Sequence, residues 1–239
     1  MDAVLRTEAL TKSYKDHSVL KGVDMEIPEG SIYGLVGRNG AGKTTLIRLI
    51  CGLQRPTSGS YTLWGVLGDS DEALLARRRM GAVVETPALY HELTAEENLT
   101  AQYKVLGRRD FDSIPALLRT VDLEGTGKKK VRDFSLGMRQ RLGIALALAG
   151  EPEFLILDEP TNGLDPQGII EMRELLCRLN REKGITLLIS SHLLSELSRQ
   201  ATHYGFLEDG RIVRQVAAGE VGEDLEGYYM DVVGGGRHG

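Results

Sequence analysis

The stretch Gly37-Arg38-Asn39-Gly40-Ala41-Gly42-Lys43-Thr44 constrains this chain more than any other. It matches G-x-x-x-x-G-K-[ST], and its flanks are the ones the pattern requires. The apolar run Ser31–Val36 before it reads as a buried strand, and Thr45-Leu46-Ile47-Arg48-Leu49-Ile50 after it has helical spacing. Glycines let backbone N–H groups curl round a phosphate, and a helix N-terminus adds partial positive charge. Lys43 is placed to reach β- and γ-phosphates, and the Thr44 hydroxyl to ligate Mg²⁺. A chance glycine turn would not need these flanks. The expectation is a nucleotide site built from Gly37, Arg38, Asn39, Gly40, Ala41, Gly42, Lys43, Thr44 and Thr45.

A chain of 239 residues has room for one large domain or two small ones. Hydrophobic content of 41% and charge of 26% are ordinary for a soluble globular protein. No apolar run approaches the ~20 residues needed to cross a bilayer, and no signal peptide opens the chain. A cytosolic protein is expected, with docking on a membrane component left open. A net charge of −5 and a pI near 5.6 argue against a nucleic-acid partner. The basic runs Arg77-Arg78-Arg79 and Lys128-Lys129-Lys130 are short and read as solvated faces. Cys51 and Cys177 lack a C-x-x-C partner and read as small core residues. His17, His91, His203 and His238 show no metal-ligand spacing.

Val4–Thr7 and Ser18–Ile27 are β-rich on either side of Tyr14 and Asp16, which suggests an antiparallel N-terminal sheet. Tyr14 reads as a packed aromatic or as a ring that stacks on a purine. Ser60–Trp64 follows as a strand, Asp71–Arg78 as a short helix, and Met80–Val84 as a buried strand ending at Glu85. From Thr94 the texture turns helical. Thr94-Ala95-Glu96-Glu97 is a capping box, and helices are expected over Ala95–Leu106, Phe111–Val121 and Leu136–Ala149. Alternation then resumes with strand Phe154–Leu157, helix Gly168–Glu182, strand Ile185–Ile189 and helix Leu193–Arg199. Such alternation implies a parallel sheet covered on both faces. His203–Leu207 and Arg211–Val216 form a hairpin across Glu208-Asp209-Gly210. The reading gives an α/β core over residues 1–90 and 151–218, an inserted helical subdomain over 91–150, and a loosely held tail over 219–239.

In an open parallel sheet, ligands sit outside the carboxyl ends of the strands. Phe154–Leu157 delivers Asp158 and Glu159 to that edge. Two acids after an apolar run are costly unless cations or hydrogen bonds receive them. Mg²⁺ would compensate Asp158 and leave Glu159 to polarise an attacking water, a role worth roughly 10²–10⁴-fold in rate.

Here the residues resemble a family. Leu157-Asp158-Glu159-Pro160-Thr161-Asn162-Gly163-Leu164-Asp165-Pro166 is similar to the Walker B and D-loop run of ATP-binding-cassette (ABC) ATPases. Phe134-Ser135-Leu136-Gly137-Met138-Arg139-Gln140-Arg141-Leu142 is similar to the signature motif that opens its helix. His192 stands at the switch-histidine position and Tyr14 at the adenine-stacking aromatic, and the resemblance runs from about residue 4 to 216. It implies a P-loop NTPase (RecA-like) α/β core with a parallel sheet, an N-terminal antiparallel β sheet and an inserted α-helical subdomain. It also implies a head-to-tail homodimer enclosing two ATP molecules, each between one subunit's phosphate loop and the other's signature helix. Ser135 and Gly137 at a helix N-terminus form an anion site suited to a partner's γ-phosphate. His192 would donate to that phosphate, and Asp165 would cross the interface.

Two departures stand out. The family usually has Gln where this chain has Glu85, and Leu-Ser-Gly-Gly-Gln where it has Phe134–Met138. Together they are similar to the subgroup that exports bacitracin, lantibiotics and related antimicrobial peptides. Glu85 can still coordinate Mg²⁺ through oxygen, and Pro87–Tyr90 offers an apolar segment to a membrane partner. The leading expectation is the ATPase subunit of an exporter. It would be peripheral on the inner face of the cell membrane and held there only through separate transmembrane permease subunits. The alternatives are a non-transport relative acting on DNA or ribosomes, for which this chain lacks a long heptad insertion and a second cassette, and an importer subunit.

Overall fold

The apolar runs become strands of two sheets in the computed structural model, which describes residues 2–222 and 224–234. The first half of the chain runs β1 (Ala3–Tyr14), β2 (His17–Pro28), β3 (Ile32–Val36), α1 (Lys43–Ile50), β4 (Ser58–Leu63), β5 (Val66–Leu67), α2 (Ala73–Arg77) and β6 (Met80–Val83). Helices α3 (Ala95–Val105), α4 (Ile114–Thr120) and α5 (Leu136–Leu148) follow. The second half runs β7 (Phe154–Asp158), α6 (Pro166–Lys183), β8 (Thr186–Ser191), α7 (Leu194–Leu197), β9 (His203–Glu208), β10 (Arg211–Ala217), α8 (Ala218–Val221) and α9 (Leu225–Gly234).

The smaller sheet is antiparallel, in the order β2-β1-β4-β5. The larger has the order β10-β9-β3-β8-β7-β6 and is parallel except for the β9–β10 hairpin. Its central strands are buried on both faces, so successive side chains enter two different cores. Tyr33, Leu35, Phe154, Ile156, Leu188 and Leu207 point toward the antiparallel sheet and join Leu46, Ile47 and Ile50 of α1. Ile32, Val36, Leu155, Leu157, Leu187 and Ile189 point the other way and join Leu99 of α3, Leu117 of α4, Leu142 of α5 and Leu175 of α6. The helices over 95–148 therefore share one apolar cluster with the central sheet.

Local chemistry sets the helix ends. Thr94 caps α3 through a full capping box: Thr94 Oγ1 accepts from Glu97 N–H at 3.1 Å, and Glu97 Oε2 accepts from Thr94 N–H at 2.7 Å. Asp165 caps α6, Pro166 opens it, and Gly184 at φ 67° closes it. Helix α4 starts later than the expected Phe111, because Phe111 belongs to a preceding turn and stacks its ring on Tyr103 at 6.3 Å. Helix α7 is a single turn, shorter than expected, with Leu197 its one buried position.

The tail expected to be loosely held beyond Gly219 needs correction over its described part. Leu225–Gly234 is a helix whose Leu225 and Tyr229 are buried. The rings of Tyr228 and Tyr229 lie 5.9 and 5.7 Å from that of Phe206 on β9. The spacing Leu225, Tyr228, Tyr229 supplies an apolar face that outweighs the surrounding glycines. The terminal run 235–239 lies outside the described residues. Cys51 and Cys177 are half-buried free thiols at the edges of the two cores. Burial pushes the Cys51 thiol up to about 12.

Candidate active site

The phosphate loop joins the end of β3 to the start of α1, and two of its glycines, Gly37 and Gly42, are fixed by sterics. Gly42 sits at φ 110°, where a Cβ would come within 2.8 Å of Leu20 Cδ2. At Gly37 a Cβ would stand 2.5 Å from the carbonyl oxygen of Leu207. A side chain at Gly37 would collide with the backbone of β9, and one at Gly42 would combine a strained φ with contact against the buried Leu20 side chain. Arg38, Asn39 and Gly40 are exposed, Ala41 is buried, and Thr45 is half-buried beside Thr44.

Lys43 is only 5% exposed, and its Nζ donates to the loop's own carbonyls at Gly37 (2.7 Å) and Arg38 (3.3 Å). It also pairs with Glu159 Oε1 at 3.2 Å. The other oxygen of Glu159 lies 3.0 Å from His192 Nδ1. The acid is thus held between a lysine and an imidazole, on a backbone at φ 49° that disfavours any residue with a Cβ. Next to it, Thr44 Oγ1 donates to Asp158 Oδ2 at 2.7 Å, and Ser190 Oγ donates to Asp158 Oδ1 at 2.6 Å. Ser190 Oγ also accepts the Glu159 N–H at 2.9 Å. The parallel register that sets Asp158 opposite Ser190 brings these groups together.

The remaining expected residues fall elsewhere. Tyr14 is 40% exposed, its hydroxyl donates to Gln54 Oε1, and Lys12 Nζ stands 5.2 Å from its ring centroid. Glu85 does not join Thr44 and Asp158. At φ 61° it turns to an ion pair with Arg48 Nη2 at 2.6 Å. No group of three His, Cys, Asp or Glu converges as a metal cluster among the described residues. Ser135 caps α5, its hydroxyl accepting from Met138 N–H at 3.2 Å. Ser135, Gly137 and Asp165 line a separate cleft of about 680 Å³ in which no phosphate-loop residue appears. Its wall is fixed by the buried Arg141 guanidinium, paired with Asp122 at 2.6 Å and Glu171 at 2.8 Å. Sequence reasoning missed Ser190. The available signal was a pair of hydroxyls, Ser190-Ser191, between an apolar strand and His192.

A phosphate loop backed by a carboxylate pair at the ends of a parallel sheet defines a P-loop nucleotide-hydrolysing cassette. The family model described as "ABC transporter" matches residues 20–162, and the chain belongs to that family. It is 45% identical to the bacitracin transport ATP-binding protein BcrA of Bacillus licheniformis over 218 residues, covering 90% of this chain and 70% of the relative. With the lantibiotic transport ATP-binding protein SrtF of Streptococcus pyogenes it shares 43% identity over 210 residues, 88% of this chain and 89% of the relative. A solved ATP-binding subunit of an ABC transporter superposes with a TM-score of 0.83 at 31% identity, covering 96% of this chain and 99% of the other. The dimeric cassette MJ0796 does so with a TM-score of 0.79 at 28% identity, over 90% and 98% of the two chains. The chain is an ATP-binding, ATP-hydrolysing subunit of an ABC transporter.

Proposed function

We propose that two copies of this chain close head to tail over two ATP molecules and drive export of an antimicrobial peptide, antibiotic or lipid-like compound through separate transmembrane permease subunits. The observation that carries this is the split site. Lys43, Thr44, Asp158 and Glu159 lie together, whereas Ser135, Gly137 and Asp165 face a cleft without a phosphate loop. Each half is complete only against the other half of a second copy, and a two-fold pair is the commonest assembly. MJ0796 was solved as a dimer, and BcrA and SrtF are bacitracin and lantibiotic transport proteins. The described residues include no helix long and apolar enough to cross a membrane, and in this reading the translocation path is supplied by the permease subunits. A cleft of about 950 Å³ beside Glu85, lined by Leu74, Pro87, Val105 and Leu106 together with Arg77, Arg78 and Arg108, offers those chains a seat that is partly apolar and partly basic.

In this reading the phosphate loop's amides and Lys43 take the β- and γ-phosphates, and Tyr14 takes the adenine face. Phosphate draws the Lys43 ammonium away from Glu159. The freed carboxylate accepts a proton from the attacking water, and His192 holds it in place while its other ring nitrogen faces the γ-phosphate. The Thr44 hydroxyl and Asp158 carboxylate are converging hard oxygens that suit Mg²⁺, with Glu85 able to join only after its pair with Arg48 opens. When bound, that ion neutralises charge on the β- and γ-phosphates. The signature Ser135 and Gly137 and the cap residue Asp165 act on the partner's nucleotide.

Glu159→Gln tests the reading. Turnover is expected to fall by at least 10²-fold, while ATP stays bound in a dimer seen by light scattering. Normal hydrolysis by this variant would remove Glu159 from the mechanism.

A further inference from the structure

One carboxylate outside the residues assigned above ties two of the site's loops together. Glu196 lies in α7, shortly after His192. Its Oε2 accepts from the Thr161 hydroxyl, and it lies 3.4 Å from the Ser191 hydroxyl, whose proton it shares with the Leu193 carbonyl at 3.3 Å. Thr161 is buried, 7% exposed, in the turn that runs from Glu159 to the Asp165 cap of α6. That turn is closed by Asn162 N–H donating to Glu159 O and Leu164 N–H donating to Thr161 O, both at 3.1 Å. Ser191 is also buried, and its Oγ accepts the Leu193 N–H at 3.0 Å, which bends the backbone around His192. A single carboxylate therefore joins the loop carrying Glu159 and Asp165 to the loop carrying His192. Hydroxyl-to-carboxylate bonds are charge-assisted and directional. What this one holds is position.

We propose that Glu196 is a positioning residue that makes these two loops move as one body when the subunits close. Asp165 at the interface and His192 at the phosphate then reach their places together. The inference rests on the roles given above to Glu159, Asp165 and His192. Without the carboxylate, the Thr161 hydroxyl loses its partner and each loop settles separately. Misplacement of this kind costs rate more than binding, because phosphate affinity resides in the untouched phosphate loop.

Glu196→Ala is therefore expected to lower kcat by about 10–100-fold. Equilibrium binding of a fluorescent ATP analogue, measured at a subunit concentration too low for pairing, should stay within about twofold, and the Hill coefficient of hydrolysis for ATP should move toward 1. Glu196→Gln, whose amide oxygen still accepts, should recover most of the rate. Thr161→Val should mimic Glu196→Ala, with Thr161→Ser close to wild type. The Thr161→Val/Glu196→Ala double variant should be no worse than either single change. If Glu196→Ala does not fold, the Thr161 pair and Glu196→Gln still carry the test. An unchanged kcat and Hill coefficient, or effects of the two changes that multiply, would overturn the proposal.

A hydrolysis-free readout separates it from the assignment of Glu159. In a Glu159→Gln background, adding Glu196→Ala should weaken ATP-driven dimerisation by roughly tenfold, and an unaltered dimer would count against the tether. Normal hydrolysis by Glu159→Gln alone would sink the general-base role while leaving the Thr161–Glu196 coupling measurable.

Discussion

At the residue scale the site depends on a hydroxyl that carries no charge. Ser190 is fully buried, donates to Asp158 and accepts the N–H of Glu159. Ser190→Ala would leave that N–H without a partner and remove one bond from a buried carboxylate. A loss of about 1–3 kcal/mol is expected, read as a Tm lower by roughly 2–12 °C in a chain of this size. The rate should also fall, since both acids lose their common support, and a variant with unchanged Tm and kcat would show that the two bonds carry no weight. The acids and the phosphate loop were legible in the sequence because phosphate chemistry demands those residue types in a local order. Ser190 and the Thr161–Glu196 contact were not, because their partners are supplied by sheet register and a one-turn helix. The left-handed backbone of Glu159 and Glu85 was equally invisible, since nothing in a run such as Leu157-Asp158-Glu159-Pro160 announces φ > 0 at an acid. The Arg48–Glu85 pair shows the same limit. Sequence assigned Glu85 an oxygen for Mg²⁺, and only the fold brings a guanidinium from α1 against it.

At the element scale, helix α3 was readable to within a residue because its start signal is local and redundant. Thr94→Ala removes the hydroxyl half of the capping box and should cost about 1 kcal/mol, a Tm drop of roughly 2–4 °C. The other half titrates. Glu97 is held below the usual carboxylate range, first by the Thr94 backbone N–H and then by the Lys130 ammonium 3.1 Å away. With the folded pKa depressed, the contribution is fully present above the unfolded value near ~4.3. It is lost as pH falls through the lower folded value. Melting curves of wild type and Glu97→Gln should therefore converge as pH drops from 7 to 3, and a gap that widens in acid would contradict the assignment. Helix α9 was misjudged for the opposite reason. Its local signal is diluted by Gly227 and Gly234, and its stabilisation is non-local, through Phe206 on β9. The core strands needed no such help, because runs such as Phe154–Leu157 are apolar at every position and fit only a sheet covered on both faces.

At the scale of the whole molecule, the decisive property is that the chemical groups occupy two places. The central sheet separates two cores, and the start of α1 and the end of β7 present Lys43, Asp158 and Glu159, while α5 and the start of α6 present Ser135, Gly137 and Asp165 to a different cleft. If hydrolysis needs both, an isolated subunit is inactive and the rate depends on encounter. Specific activity of the purified chain should then rise with its own concentration and level off once pairing saturates. Mixing supplies a sharper measure. At a fixed total concentration, each Glu159→Gln subunit added to wild type contributes an intact signature cleft but a dead water-activating position. Independent sites would lose activity in proportion to the wild-type fraction remaining. Sites coupled through Asp165 and the loop that carries it would lose activity faster, because a mixed pair that traps ATP on one side cannot reopen on the other. The expected curve bows below the straight line, toward the square of the wild-type fraction when one dead site stops both. A straight line together with concentration-independent turnover would mean that each subunit completes its own site, and the pairing drawn from the divided geometry would have to be abandoned.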